Sequence, residues 1–231
     1  MIARGAKFIG TTMGGVEIIL RDVSTGSVLA SGITSGSTGD TERIMRTPLT
    51  RTEPRSLPKS AQQANTLPAA HFLATLDIDA PMKVLVEARG PLGQLQSANR
   101  VTSERWVFPG NHLTEGDGWL LEMPGLVVNI IAPIVQSSTT GGMKIEADVM
   151  LMCGCPITDG GLWDAAGYEV VATISRDGET IDTVPLAFAG TKNRFAVTYS
   201  PTEKGPLTIT VTAWNARDGN SGLDRTAVFS N

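Results

Sequence analysis

Residues 143–153 read MKIEADVMLMC, and apolar and polar residues alternate along almost the whole stretch. A period of two is the pattern of a β-strand with one buried face, because successive side chains point to opposite sides of a sheet. The side predicted to be buried holds Met143, Ile145, Ala147, Val149, Leu151, Cys153 and Cys155. The opposite side holds Lys144, Glu146, Asp148, Met150 and Met152.

Further strand signals occupy most of the chain. Each is a short run of β-branched and apolar residues bounded by Gly, Pro or Asp. The runs cover residues 16–21, 27–30, 72–77, 82–88, 119–122, 126–131, 168–176, 179–187, 194–199, 207–214 and 226–229. The turn residues 22–26 join the first two runs into a hairpin. Helical periodicity is never sustained over about eleven residues, so the sequence predicts an all-β protein built from antiparallel β-sandwiches.

The position of one polar segment suggests two domains. Residues 134–142 read IVQSSTTGG, which fits a linker or a long surface loop. We therefore expect one β-sandwich domain in residues 1–135 and a second in residues 143–231. A chain of 231 residues is long enough for two such domains, each with its own core.

Charge and hydropathy argue against two classes of partner. The formal net charge is −4, whereas nucleic-acid-binding domains usually carry a basic excess. A membrane span is not expected, because the chain lacks a run of about 20 apolar residues. The N-terminal residues MIARGAKFIG show no apolar core of a signal peptide. The excess of Arg over Lys and the abundance of Thr, Ser and Gly nevertheless favour an extracytoplasmic location, in the periplasm or at the cell surface.

One long segment, residues 35–70, departs from the strand pattern. It is rich in Gly, Ser, Thr and Pro, and its basic residues are Arg43, Arg46, Arg51, Arg55 and Lys59. A loop of this length within a compact domain is commonly functional or disordered. Two interpretations stay open. The loop is either a flexible excursion solvated by its charges, or an arm that binds an acidic protein surface, such as the second domain of a neighbouring copy.

The two cysteines, Cys153 and Cys155, are one residue apart. Three interpretations stay open: two small buried thiols at the end of a core strand, a local disulfide or redox pair, and a metal site. Thiolates and thioethers are soft donors, so the two cysteines with Met150 or Met152 have the ligand chemistry for Cu(I). They would suit Zn²⁺ if further ligands were supplied. The sequence predicts no other cofactor.

The loop after residue 105 is a further candidate, because Trp106, His112 and Trp119 lie there with Glu115 and Asp117. Such an aromatic and polar loop is either a recognition surface for a protein or a hydrophobic plug at one end of a sandwich. A hydrolase using His112, Glu115 and Asp117 is the third class considered. The chain has no zinc-hydrolase, phosphate-loop, dinucleotide or Gly-x-Ser-x-Gly motif, so we expect that it is not an enzyme.

The N-terminal part resembles a known β-domain family. Residues 15–22 read GVEIILRD and are followed by a Thr25-Gly26 turn, a returning strand to Gly32, and Thr38-Gly39-Asp40. This order resembles the carboxypeptidase regulatory-like, or transthyretin-like, β-sandwich. The resemblance implies a prealbumin-like domain that serves in binding, spacing or assembly.

The C-terminal part resembles a second family. Residues 205–216 read GPLTITVTAWNA and lead into a turn at Gly219-Asn220, which is similar to the final hairpin of a bacterial immunoglobulin-like domain. The resemblance implies that Trp163 is the core plug between two sheets. It also implies a binding or assembly module.

These observations lead to one hypothesis and one alternative. The hypothesis is a non-enzymatic, extracytoplasmic protein that binds another protein or itself, as a structural or accessory subunit of an envelope or surface assembly. The alternative is a copper- or redox-handling protein that uses the Cys153-x-Cys155 pair.

Overall fold

β-strands make up nearly all of the regular structure, as the alternation predicts. The computed structural model describes residues 1–47, 53–56, 68–131, 134 and 142–230. Within these residues the strands are β1 (Ile2–Ala3), β2 (Glu17–Asp22), β3 (Val28–Ile33), β4 (Met82–Gly90), β5 (Asn99–Val107), β6 (Glu122–Met123), β7 (Leu126–Ile130), β8 (Met143–Leu151), β9 (Glu169–Arg176), β10 (Glu179–Pro185), β11 (Ala187–Phe188), β12 (Arg194–Tyr199), β13 (Gly205–Asn215) and β14 (Asn220–Ser230). Short helical turns cover Thr11–Met13, Glu42–Arg46, Leu95–Ser97 and Ala165–Gly167. The all-β fold is confirmed, and none of the helices in the described ranges is long and apolar enough to cross a membrane.

The chain divides into two compact units, and their boundary differs from the expected one. Unit 1 comprises Met1–Met123 and Met152–Gly154, and unit 2 comprises Pro124–Leu151 and Cys155–Asn231. The sequence places β7 in a first domain of residues 1–135, but β7 pairs antiparallel with β8. Ladder hydrogen bonds, rather than nearness in sequence, therefore assign β7 to unit 2. Most of the expected linker, residues 134–142, lies outside the described residues.

Unit 1 contains a four-stranded antiparallel sheet in the order β3-β2-β4-β5, and β1 pairs with β6 in parallel. The predicted hairpin is confirmed, since β2 and β3 pair on either side of a turn in which Gly26 has a φ of 73°. Val84 and Ala88 are buried on one face of the sheet. The other face carries charged side chains, with Arg21 Nε donating to Glu87 Oε1 at 2.8 Å.

The strands of unit 1 differ from the predicted runs in several places. Residues 72–77 are not part of a strand, although the preceding His71 forms an isolated bridge with Ser35. Of the predicted run 119–122, only Glu122 lies in a strand, β6. β5 is a nine-residue edge strand that the sequence analysis missed. Its charged and polar residues obscure the alternation, because an edge strand exposes more of its surface than a central one.

Unit 2 contains two four-stranded antiparallel sheets. Their strand orders are β10-β9-β13-β14 and β11-β12-β8-β7. The alternation predicted for β8 is confirmed, because its buried side chains are Met143, Ile145, Ala147, Val149 and Leu151. The buried side chains of β13 are Leu207, Ile209, Val211 and Ala213. These two sets supply much of the apolar core of unit 2.

Polar side chains hold the loops and the edge strand β7 of unit 2. Asn193 is buried with a φ of 68°, and its Oδ1 accepts a hydrogen bond from the Ile157 amide at 2.8 Å. Asn220 Oδ1 accepts from the Gly125 amide at 2.8 Å, and Asp224 Oδ2 accepts from the Ile130 amide at 2.8 Å. Side chains of β14 therefore satisfy one backbone donor just before β7 and one at the end of β7.

Candidate interaction surface

Cys153 and Cys155 are joined in a disulfide, so one of the three interpretations of this pair matches the structure. The bond closes a tight turn after β8, in which Met150 bridges to Pro156 and the Leu151 amide donates to the Cys155 carbonyl at 3.4 Å. Gly154 has a φ of 74°, and a Cβ there would lie 2.6 Å from Met13 Sδ. The positive φ favours glycine at this position, and a Cβ there would also displace the end of the Met13 side chain.

The thioethers of Met150 and Met152 do not complete a metal-ligand set with the cysteine pair. Met152 is fully buried, against the prediction that it lies on the polar side, because the chain leaves the strand after Leu151. Met150 is half-buried on the outer side of β8. A disulfide offers no thiolate, which is the form of cysteine that binds Cu(I) or Zn²⁺. Groups of three or more His, Cys, Asp and Glu that could hold a metal are absent from the described residues.

The described part of the Arg-rich loop makes internal contacts in unit 1. Arg43 Nε donates to the Pro54 carbonyl at 2.7 Å, and Arg46 Nη1 lies 3.4 Å from Glu42 Oε2. The Arg55 amide donates to both Asp117 oxygens at 2.8 Å. These bonds anchor the segment on its own unit and commit the Arg43 guanidinium. Arg51 and Lys59 lie outside the described residues.

The aromatic candidates of unit 1 do not form one patch. Trp106 is 57% exposed and lies on the outer side of β5. Trp119 is half-buried on the other side, where its Nε1 donates to Ser103 Oγ at 3.3 Å and the Arg105 guanidinium lies 5.3 Å from its ring. His112 is exposed, and the described hydrogen bonds of the Asp117 carboxylate go to the Arg55–Ser56 backbone instead of His112.

The sheet β10-β9-β13-β14 of unit 2 carries a surface that the sequence analysis did not single out. We define the Thr-rich face as the outward-facing side chains of its strands β9, β13 and β14. They are Glu169, Val171, Thr173, Ser175, Pro206, Thr208, Thr210, Thr212, Trp214, Ser221, Leu223, Arg225, Ala227 and Phe229. Only Glu169 and Arg225 in this set are charged.

Large apolar side chains are exposed on the Thr-rich face. Trp214 is 50% exposed, Leu223 is 48% exposed and Phe229 is 64% exposed. Thr212 is central, because it lies opposite Val171 on one neighbouring strand and Leu223 on the other. The register of β13 with both neighbours runs without a bulge. A regular sheet surface with few charges and several exposed apolar groups is typical of a protein contact site.

The other sheet of unit 2 has a different outer surface. We define the ion-pair face as Lys144, Glu146, Asp148, Arg194, Ala196 and Thr198 of β8 and β12. Arg194 Nε donates to Asp148 Oδ1 at 2.7 Å, and Arg194 Nη1 lies 3.6 Å from Glu146 Oε1. Lys144 Nζ lies 2.9 Å from Glu146 Oε1, and this hydrogen bond lowers the pKa of Glu146. The hydrogen bonds to Asp148 raise the pKa of Arg194.

One signal in the sequence could have identified the Thr-rich face. The run Leu207-Thr208-Ile209-Thr210-Val211-Thr212-Ala213-Trp214 alternates strictly. Trp214 therefore belongs with the threonines on the outward side, not with the core residues. The signal in β14 is weaker, because Leu223, Arg225, Ala227 and Phe229 share one face.

Comparisons with known proteins add no assignment. No family model matches the chain, and no curated protein matches it. Among solved structures, the chain is similar to an engineered protein with 20% sequence identity and a TM-score of 0.30. The match covers 47% of this chain and 20% of the other. A likeness of this size carries no argument about fold or function.

Proposed function

We propose that this protein is a non-enzymatic, extracytoplasmic protein that acts through protein–protein contact, as a structural or accessory subunit of an envelope or surface assembly. The observation that carries the proposal is the Thr-rich face of unit 2. Trp214 and Leu223 provide apolar area there, and the surrounding hydroxyl groups are much less costly to desolvate than charges.

The strand orders of unit 2 support an immunoglobulin-like domain as the scaffold of this face. If β7, β8, β9, β10, β11, β12, β13 and β14 are strands A, B, C, C′, D, E, F and G, the two sheets have the orders D-E-B-A and C′-C-F-G. Constant-type immunoglobulin domains divide their strands in the same way, with A, B, E and D in one sheet and C, F and G in the other. The buried Trp163 lies just before strand C, in keeping with a core plug.

Fewer structural features support the proposed scaffold of unit 1. The β2–β3 hairpin supports a carboxypeptidase regulatory-like domain, and the four-stranded antiparallel sheet is compatible with half of a prealbumin-like sandwich. The disulfide between Cys153 and Cys155 supports the extracytoplasmic location, because disulfides persist mainly in oxidising compartments.

Site-specific photo-crosslinking in the producing cell tests the proposed function. A benzoylphenylalanine at position 212 samples the Thr-rich face, and the same residue at position 198 samples the ion-pair face. Thr212 and Thr198 are both exposed threonines on strands of unit 2, so the two variants are matched. We expect a discrete crosslinked protein from position 212 and none from position 198. Equal labelling from both positions, or none from either, would contradict the proposal.

Redox handling by Cys153 and Cys155 is the second candidate, and their disulfide is the observation that favours it. Their low exposure, 2% and 4%, limits access for a thiol partner. Copper or zinc binding would first require reduction of the pair. Native intact mass after treatment with millimolar glutathione tests this function. A mass gain of two hydrogen atoms in the folded protein, with glutathione oxidised to its disulfide, favours it, whereas reduction only after denaturation opposes it.

A further inference from the structure

We infer that the Thr-rich face binds the same face of a second copy of this chain around a two-fold axis, with Glu169 of each copy opposite Arg225 of the other. This inference rests on the proposed function and names its partner. Three features carry it: the positions of the two charges, the positions of Trp214 and Leu223, and the size of the face.

The two charges lie on opposite sides of the centre of the Thr-rich face. Glu169 on β9 lies beside Trp214, and Arg225 on β14 lies beside Thr210. Thr212 is midway between these two rows on the central strand β13. With ordinary strand spacing and rise, Glu169 and Arg225 are separated by about 10 Å across the sheet and about 13 Å along it.

This placement gives the face charge complementarity with itself. A two-fold axis parallel to the sheet, above Thr212 and perpendicular to the line from Glu169 to Arg225, exchanges the two charged positions. Each Glu169 then meets the partner's Arg225, so two equivalent ion pairs form. Arg225 Nε also donates to Thr210 Oγ1 at 3.1 Å, which holds its stem against the sheet.

The same axis brings the exposed apolar groups together. Trp214 and Leu223 are neighbours on adjacent strands, one row apart. Exchange around the axis places Trp214 of each copy over the partner's Leu223, within about 3 Å in the plane of the sheet. Large apolar side chains near the centre of an interface are its usual energetic hot spots. The axis selected by the charges is therefore also favourable for the apolar groups.

The size of the face sets the expected affinity. β13 has 11 residues, and the Thr-rich face spans the three strands β9, β13 and β14. The face is therefore about 35 Å long and about 14 Å wide, an area of about 500 Å². Stable interfaces bury about 800 Å² on each partner. We expect a reversible dimer with a dissociation constant in the micromolar range.

Charge reversal of the full chain, followed by sedimentation velocity, tests this geometry. Glu169→Arg and Arg225→Glu should each raise the dissociation constant at least tenfold, because each makes both ion pairs repulsive. An equimolar mixture of the two variants should form a heterodimer with nearly wild-type affinity, since every pair then joins opposite charges. Both residues are on the surface, and Glu115→Arg in the exposed loop of unit 1 is the matched control.

Failure of this inference can be separated from failure of the proposed function. A mixture that remains monomeric, or single variants that dimerise as well as wild type, overturns the two-fold geometry. A wild-type chain that is monomeric at about 100 µM, with a crosslink from position 212 to a different protein, overturns self-association and leaves the proposed function standing. A crosslinked product of twice the chain mass of 24.4 kDa supports both.

Discussion

The two sheets of unit 2 bury similar apolar side chains on their inner surfaces but differ on their outer surfaces. On the ion-pair face, Arg194 lies between Glu146 and Asp148, so charges of opposite sign alternate in space. On the Thr-rich face, hydroxyl and apolar groups occupy nearly all of the outward-facing strand positions. Covering charges removes their hydration at a cost of several kcal/mol per ion, whereas hydroxyl groups cost much less. The comparison shows which of two similar sheets can be covered by a partner at low cost.

A charge in the centre of the Thr-rich face should have the largest effect on binding. Thr212 lies on the inferred two-fold axis, so Thr212→Glu brings two carboxylates together in a desolvated contact. We expect the dissociation constant of the dimer to rise about 100-fold, or about 3 kcal/mol, with little effect on folding. Sedimentation velocity measures the dimer, and urea unfolding measures the stability of the monomer.

The ion-pair face supplies the matched control for this change. Thr198→Glu introduces the same charge opposite Lys144 on a face that we expect to remain in water. Its dimer affinity should equal that of the wild type. If Thr198→Glu weakens the dimer as much as Thr212→Glu does, the two faces are not functionally different.

Removal of one large aromatic side chain should have the second-largest effect. Trp214→Ala should weaken the dimer by about 2–3 kcal/mol, because the indole provides a large part of the apolar contact. Trp106→Ala is the control, since Trp106 on unit 1 is similarly exposed and lies outside the Thr-rich face. Isothermal dilution calorimetry would measure the dimer dissociation constants of both variants. Equal losses for the two variants would mean that the effect of Trp214 is not specific to its face.

The sequence predicts individual strands better than it predicts which strands pair with each other. The alternation of β8 predicted its buried residues, because strand geometry fixes a period of two without reference to any partner. The pairing of β7 with β8 could not be predicted in this way, since a short apolar strand has no local mark of the sheet it joins. The division between the units, after Met123, differs from the expected end of the first domain at residue 135 for that reason.

For the candidate sites, too, the sequence indicates the residues themselves but not the contacts they make with residues distant in the chain. The sequence identified Cys153 and Cys155 but left their chemical state open, because spacing alone is compatible with thiols, a disulfide and a metal. The bond from Arg43 to the Pro54 carbonyl depends on the path of the loop, which composition does not determine. Trp214 belongs to no ligand or catalytic motif, and its only local signal is its outward position in the alternation of β13, which does not by itself distinguish a binding surface from an ordinary exposed face.

The ion-pair face should contribute to folding stability but not to binding. Arg194 is partly buried, with 29% of its side chain exposed, and it donates to both oxygens of Asp148. After discounting for solvent screening, we expect Arg194→Ala to destabilise unit 2 by about 1 kcal/mol. Arg225→Ala on the Thr-rich face should change the stability by less than about 0.5 kcal/mol when measured on the monomer. The opposite ranking in urea unfolding would reverse the roles assigned to the two faces.

The smallest expected effect is a pH dependence confined to the ion-pair face. The hydrogen bond from Lys144, assisted by the charge of Arg194, lowers the pKa of Glu146 in the folded state. A carboxylate with a lowered pKa stabilises the fold above its ordinary titration range, and this contribution is lost as the pH falls through the folded-state pKa. Because Lys144 is well exposed, the loss between about pH 5 and pH 3 should be only about 0.5 kcal/mol.

Matched variants isolate this contribution from the other carboxylates of the chain. Glu146→Gln removes the titrating group, and Lys144→Thr removes its first hydrogen-bond donor. Both variants should be less stable than wild type at pH 7 and should approach it at pH 3, as measured by urea midpoints. A Glu146→Gln variant that keeps the full difference from wild type at both values of pH would show that packing, rather than charge, accounts for the effect of this residue. In that case the ion-pair face would differ from the Thr-rich face in composition but not in the physical basis of its stability.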